Sequence, residues 1–139
     1  MKNAATQLKL EDGAAAKDLL VKEFDLYPTA VQYDLAGALG GYGRVFETQD
    51  FQRLRTGNEL ASVLSALKLP VEASSRVFLA YEDAHVNNVY EAPFNKVSAF
   101  VNEKWDDFAL GDMLIFDASA KWFVHIDRIG NVFYHTSQK

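Results

Sequence analysis

The sequence predicts a single α+β domain over residues 1–139, in which N-terminal helices pack on a mainly antiparallel sheet that ends in a C-terminal β-meander. The chain has 139 residues, of which 49% are hydrophobic and 13% aromatic, and this is enough to fill one core. Apolar residues in the first half recur at helical spacing, whereas those in the last third alternate as in strands. Long helices do not alternate regularly with strands, which disfavours a doubly wound parallel sheet.

Two helices are predicted before Gly40, Gly41 and Gly43, which end the second one. Residues 13–26 form an amphipathic helix that Pro28 interrupts, because proline disfavours a helical conformation in the residue before it. Pro28 can then open a second helix, residues 28–39, at the first position, which tolerates proline. In the first helix we expect one set of side chains to face inward and another to lie elsewhere: Ala16, Leu19, Leu20 and Phe24 inward, and Lys17, Lys22 and Glu23 elsewhere.

A short strand over residues 44–47 and two further helices are predicted next. Thr56 and Glu59 have the spacing of a capping box at the start of the third helix. The apolar stripe of that helix consists of Leu60, Val63, Leu64 and Leu67. Pro93 begins the last helix, whose inward side chains are expected to be Val97, Phe100, Val101, Trp105 and Phe108.

The remaining strands are predicted from β-propensity and alternation. Residues 76–82 form a strand because RVFLAY is rich in β-formers, and the polar residues 83–92 form a loop. Met113 to Phe116 are four consecutive apolar residues, which is typical of a strand covered on both faces. Residues 121–127 and 131–135 alternate and are predicted to form the closing hairpin.

The turn of this hairpin has two possible registers. A two-residue turn at Ile129-Gly130 places His125 opposite Tyr134. A three-residue loop, 128–130, places Gly130 in the left-handed conformation before a bulge, and we prefer it because it separates polar from apolar residues better. One face then carries Trp122, Val124, Ile126, Val132 and Tyr134, and the other, more polar face carries Phe123, His125, Phe133 and His135.

Charge and composition favour a protein partner. The chain has 14 Lys and Arg against 19 Asp and Glu, a net charge of −5, which disfavours binding to nucleic acid or to an anionic membrane and favours a basic protein. It has no cysteine, which excludes disulfides, thiolate zinc sites and cysteine nucleophiles. No apolar run approaches the ~20 residues of a membrane helix, and residues 1–13 contain no signal-peptide core, so we expect a cytoplasmic protein.

No motif in the sequence identifies a catalytic, cofactor or metal site. The glycines at 37, 40, 41 and 43 match no phosphate loop and follow a helix, which indicates a helix end and a turn. His125 and His135 would be diagonal neighbours ~7 Å apart on the hairpin, with Asp127 nearby but no clear third ligand, so we expect partly exposed histidines and no metal. Carboxylates and His85 share the loop of residues 82–91, which leaves an enzyme possible.

The densest acidic stretch marks the candidate partner-binding surface. It contains Glu103, Asp106, Asp107, Asp112 and Asp117. Asp106 and Asp107 are expected at a helix end, where the helix dipole disfavours negative charge. Phe123 is expected to be an exposed anchor beside His125 and His135, whereas Trp105 and Trp122 are expected in the core.

The segment WDDFALGDMLIFDASAKWFVHIDRIGNVFYH, residues 105–135, resembles the C-terminal end of immunity proteins of bacterial toxin systems, including the SUKH group. The resemblance implies a non-enzymatic protein that binds and blocks a toxin. Two other hypotheses remain open. One is a small enzyme or ligand-binding domain that uses residues 83–91, and the other is a structural or regulatory subunit that dimerises through a sheet edge.

Overall fold

The computed structural model of the chain describes residues 5–26, 35–40, 46–47, 58–83, 87–108 and 111–137. The described helices are α1 (Leu10–Glu23), α2 (Leu35–Gly40), α3 (Asn58–Leu67), α4 (Phe94–Glu103) and α5 (Trp105–Phe108). The described strands are β1 (Thr6–Gln7), β2 (Phe46–Glu47), β3 (Arg76–Glu82), β4 (Asn87–Pro93), β5 (Asp112–Phe116), β6 (Trp122–Ile126) and β7 (Val132–Thr136).

The strands form one antiparallel sheet in the order β1-β4-β3-β5-β6-β7-β2. This arrangement confirms the α+β class and the C-terminal meander β5-β6-β7. Helices cover both faces of the sheet. None of the helices in the described ranges combines the length and the apolar composition that crossing a membrane requires.

The core has two parts, one on each face of the sheet. On one face, α1 and α2 contribute Ala16, Leu20, Val21, Phe24, Leu35, Ala36 and Leu39, which pack on side chains of β3 to β6. On the other face, α3, α4 and α5 contribute Leu60, Val63, Leu64, Val97, Phe100, Val101 and Phe108. Two covered faces explain why the four residues of β5 after Asp112 are all apolar: Met113 and Ile115 belong to the second part, and Leu114 and Phe116 to the first.

The closing hairpin has the preferred register. Ile126 pairs with Val132 and Phe123 with His135. The amide of Gly130 donates to the carbonyl of Asp127, and the φ of Gly130 is 91°, a left-handed conformation that glycine adopts without a steric penalty. The Asp127 carboxylate also accepts hydrogen bonds from the amides of Ile129 and Asn131, which fixes the loop.

Several helix predictions hold with shifted ends. The first helix begins at Leu10 and ends at Glu23 instead of spanning 13–26, and the strand predicted over 44–47 is described at Phe46–Glu47. Of the helix predicted over 28–39, only α2 is described, and Thr56 of the capping box lies outside the described residues. In α3, Leu60, Val63 and Leu64 are buried as expected, and Leu67 is partly buried.

Three predictions are wrong. Residues 87–93 are not loop but strand β4, which pairs with β3 over seven residues. Asp106 and Asp107 do not end the helix that continues from residue 94, because that helix ends at Glu103 and both aspartates lie in the separate four-residue helix α5. Leu19 is 36% exposed, whereas Lys17 is 2% exposed and lies within the buried stripe of α1.

Candidate functional site

A cleft of about 400 Å³ opens where the ends of β3 and β4 meet α5. Three consecutive elements contribute its walls: Tyr81 and Asp83 from the end of β3, Asn88 and Tyr90 from β4, and Lys104, Asp106, Asp107 and Phe108 from the segment that joins α4 to α5. Tyr81 is paired with Asn88, and Tyr90 is two residues further along β4. Strand periodicity therefore directs all three side chains to the same face of the sheet.

Tyr81 ties the two walls of the cleft together. Its side chain is buried, and its hydroxyl oxygen lies 2.8 Å from the carbonyl oxygen of Asp107 and 3.1 Å from Oδ2 of Asp83. Burial raises the pKa of Tyr81 to about 12, with further contributions from the hydrogen bond to Asp83 and from the neighbouring carboxylates. The phenol therefore stays protonated at neutral pH, and its single proton serves two oxygen acceptors.

The rings of Phe108 and Phe100 pack against the two tyrosines of the cleft. The ring of Phe108 stacks on Tyr81 with a centroid distance of 4.7 Å and lies 5.9 Å from the ring of Tyr90. Phe100 packs against both Phe108 and Tyr90, at 5.7 Å and 5.0 Å. Phe108 and Phe100 are buried, whereas Tyr90 is half-buried, so Tyr90 is the ring that a ligand in the cleft can contact.

The cleft is acidic. Of the described residues that line it, Asp83, Asp106 and Asp107 carry carboxylates and Lys104 alone carries an ammonium. Asp106 and Asp107 are exposed, and Asp83 is half-buried. Among the described residues, no ion pair within 4.0 Å joins Lys104 to Asp106 or Asp107. The field of the cleft therefore favours a positively charged group.

The predicted acidic stretch does not form one surface. Asp106 and Asp107 line the cleft, and Glu103 is exposed at the end of α4 just before them. Asp112 begins β5 and bonds to His125 instead. Asp117 follows the other end of β5, about 17 Å along the strand at ~3.4 Å per residue, and accepts a hydrogen bond from the amide of Ser119.

The predicted hairpin face is buried, so the expectation of an exposed anchor and partly exposed histidines is wrong. Phe123 and His135 are each 1% exposed, and Phe24 of α1 packs against both rings at 5.3 Å and 5.2 Å. His125 is 7% exposed, and its Nε2 lies 3.1 Å from Oδ1 of Asp112. These three side chains are therefore buried and do not form an accessible surface. Trp122 is buried as expected, and Trp105 is partly buried.

A buried ion pair lies on the same face as α1. Nζ of Lys17 is 2.6 Å from Oε2 of Glu82, and both side chains are at most 5% exposed. Lys17 also donates to the side-chain oxygen of Asn87. The Glu82 carboxylate accepts hydrogen bonds from the amides of Leu35 and Ala36, at 3.2 Å and 2.9 Å, and so connects α1, α2 and the sheet.

The sequence supplied only part of the signal for these sites. The sequence predicts Asp106 and Asp107 as partner-binding residues and residues 83–91, which include Asn88 and Tyr90, as a separate candidate site. It assigns Tyr81 and Lys104 to no site and does not bring the two groups of residues together. The sequence does contain one indication that Lys17 is buried, because its position has helical spacing with the apolar residues Leu20 and Phe24. Within the described part of the chain, no three His, Asp or Glu side chains converge into a group that could hold a metal ion.

Comparisons of the chain with protein-family models, with curated proteins and with solved structures found no match in any of the three. The function proposed below therefore rests on the geometry and charge of the cleft.

Proposed function

We propose that this chain is a non-enzymatic binding protein that captures a basic protein partner through the acidic cleft. The observation that carries the proposal is the composition of the cleft: its described lining residues supply three carboxylates, one ammonium and the half-buried Tyr90 around a concave surface. The hydrogen bonds of Tyr81 and the packing of Phe108 hold this surface in shape before a partner arrives, which lowers the entropic cost of binding.

The overall charge supports the same proposal. With a net charge of −5, the chain attracts a basic partner from a distance, and this attraction mainly increases the rate of association. Exposed carboxylates contribute little individually, typically about 0–1 kcal/mol per pair. A concave site in which several carboxylates act together on one group, partly shielded from water, gives a larger effect.

The resemblance of residues 105–135 to immunity proteins gives the proposal a specific form. The partner would be a toxin domain with a basic surface, and this chain would neutralise it in the cytoplasm of the producing cell. The cleft lies next to this segment and partly within it, since Trp105–Phe108 forms α5.

Co-expression tests this function. The gene that neighbours this one in its native genome is induced in a host cell with and without this chain, and survival is counted. We expect the chain to restore growth, the Asp106→Asn/Asp107→Asn variant to restore much less, and the Glu11→Gln/Asp12→Asn variant to protect like the wild type. Glu11 and Asp12 are a matched control because they are exposed acidic neighbours on α1, which packs on the other face of the sheet. Equal protection by both variants would exclude the cleft from the function.

A second candidate function is a small enzyme or ligand-binding domain at the same cleft. The observation that favours it is that Asp83, Asn88 and Tyr90, which belong to the segment singled out for this hypothesis, line the cleft. The volume of about 400 Å³ is within the range of small-molecule sites. His85, the histidine of that hypothesis, lies outside the described residues. A screen of cationic metabolites by thermal shift would support this function if one of them raised the melting temperature of the wild type but not of Asp106→Asn/Asp107→Asn.

A further inference from the structure

The chemistry of the cleft indicates which group of the partner it binds, an inference that rests on the proposed function. Its walls offer oxygen atoms in excess of hydrogen-bond donors. Tyr81 has one proton between two acceptors, and the side chains of Asp106 and Asp107 offer only oxygen acceptors and form no ion pair within the described residues. A ligand that completes this site has to supply several N–H donors and a positive charge.

We propose that the cleft binds one guanidinium group, the side chain of an arginine of the partner, with Tyr90 as its aromatic contact and the carboxylates of Asp83, Asp106 and Asp107 as its acceptors. The acceptors come from two walls, the end of β3 and helix α5. A guanidinium presents five N–H donors in one plane and can therefore address acceptors in different directions at once.

The aromatic wall favours arginine over lysine. A guanidinium is more weakly hydrated than an ammonium, so it loses less on leaving water for a surface made partly of rings. It also stacks on aromatic side chains, and cation–π contacts in proteins involve arginine more often than lysine. Phe108 and Phe100 hold the ring of Tyr90 in place from below, which keeps this contact preorganised.

Lys104 provides a test of sign. Among the described residues that line the cleft, it is the one with a positive side chain, and it is half-buried at the C-terminal end of α4. Replacing it with methionine keeps its length and removes its charge. If the ligand is a cation, Lys104→Met strengthens binding and Asp106→Asn/Asp107→Asn weakens it. If the ligand is an anion, both signs are reversed.

The experiment is an NMR titration of the full chain at low salt with three probes: N-acetyl-arginine amide, N-acetyl-lysine amide and the neutral isostere N-acetyl-citrulline amide. We expect the arginine probe to shift the backbone amide resonances of Asn88, Tyr90 and residues 104–108. It should bind several-fold more tightly than the lysine probe, and the citrulline probe should not bind. At about fivefold per partly shielded charge, Asp106→Asn/Asp107→Asn should weaken the arginine probe by roughly tenfold or more, and Lys104→Met should strengthen it by about fivefold. Glu11→Gln/Asp12→Asn should leave the affinity unchanged.

The opposite results would overturn the inference. Absence of shifts at the cleft, equal binding of citrulline and arginine, equal binding of lysine and arginine, or weaker binding by Lys104→Met would each contradict a guanidinium site. The outcome is separate from that of the co-expression test. If protection in the co-expression test depends on Asp106 and Asp107 but the arginine probe does not bind, the proposed function is supported and this inference is wrong. If the arginine probe binds but the chain gives no protection, the cleft is a guanidinium site and the proposed neutralising function is wrong.

Discussion

The buried pair of Lys17 and Glu82 gives the most quantitative prediction. Lys17→Met leaves the Glu82 carboxylate buried with the two amide donors of Leu35 and Ala36 but without a counter-charge. Removing one partner of a buried ion pair costs about 3–5 kcal/mol, because the remaining charge is uncompensated. The two amides keep part of the stabilisation, so we expect the lower end, a loss of about 3 kcal/mol. A domain of this size is stable by only ~5–15 kcal/mol, so the loss is large.

Glu82→Gln should cost more. It removes the counter-charge of the buried Lys17 ammonium, which keeps only neutral side-chain oxygens, those of Asn87 and of the glutamine, as acceptors among the described residues, and it weakens the hydrogen bonds of both amides. We expect about 4–5 kcal/mol. The double variant contains no buried charge, and the glutamine carbonyl can still accept from one amide, so its expected loss is about 1–3 kcal/mol, the cost of one poorly satisfied buried amide. We therefore expect Lys17→Met/Glu82→Gln to be more stable than Glu82→Gln and at least as stable as Lys17→Met.

Urea unfolding, followed by the fluorescence of the buried Trp122, measures these losses at constant m-value. Lys22→Met is the matched control on the same helix, because its ion pair with Asp18 is exposed, with side chains 77% and 38% accessible, and should be worth less than about 0.5 kcal/mol. If one single variant does not fold while the double variant does, the coupling is demonstrated equally well. Single losses below ~1 kcal/mol, or a double loss equal to the sum of the single losses, would refute the reasoning.

Three further predictions concern the cleft and the core. Because the pKa of Tyr81 is raised from 10.0 to about 12, its neutral phenol stabilises the fold fully below pH 10, and this contribution is lost as the pH rises from 10 to 12. The stability advantage of the wild type over Tyr81→Phe should therefore shrink between about pH 10 and pH 12 in urea unfolding, and a constant difference would contradict the assignment. Gly111→Ala places a Cβ 2.3 Å from the carbonyl oxygen of Glu82, so the backbone must shift, and we expect a loss of at least ~2 kcal/mol with displaced amide resonances around the cleft. Phe123→Ala should cost about 3–5 kcal/mol in the same unfolding assay, because Phe123 is 1% exposed; a loss below ~1 kcal/mol would indicate the exposed anchor that the sequence suggested.

The parts of the fold that the sequence predicts well are those in which local pattern and tertiary environment agree. The four consecutive apolar residues of β5 indicate a strand with two covered faces, and both faces are covered. Alternation together with Gly130 is sufficient to choose the hairpin register, because a shift of one residue would exchange the two faces of the strand. In such places no knowledge of distant segments is needed.

Strand β4 could not be predicted in this way, because its sequence, NNVYEAP, contains residues that are depleted in strands. Its conformation comes from pairing with β3 on one side and β1 on the other, which is information from distant parts of the chain. The cleft depends on this strand, since Asn88 and Tyr90 belong to it. Without the strand, residues 83–91 and the pair Asp106 and Asp107 are predicted as two separate sites and not as one cleft.

The burial of polar residues under α1 has the same origin. Lys17 was assigned to the polar side of its helix because of its charge, whereas its partner Glu82 is 65 residues away in the sequence. His125 and His135 were expected on an exposed face because they share the more polar side of the hairpin. That side is covered by α1, whose Phe24 lies against His135, and the docking of this helix is not encoded in the hairpin itself.

The central claim is that the cleft captures a positively charged partner. Its most direct test is the dissociation constant of the purified partner from the co-expression experiment, measured by calorimetry for the wild type, Lys104→Met and Asp106→Asn/Asp107→Asn at two salt concentrations. The account predicts that Lys104→Met binds more tightly than the wild type, that Asp106→Asn/Asp107→Asn binds more weakly, and that added salt reduces the differences. The same affinity for all three proteins, or the reverse order, would contradict it.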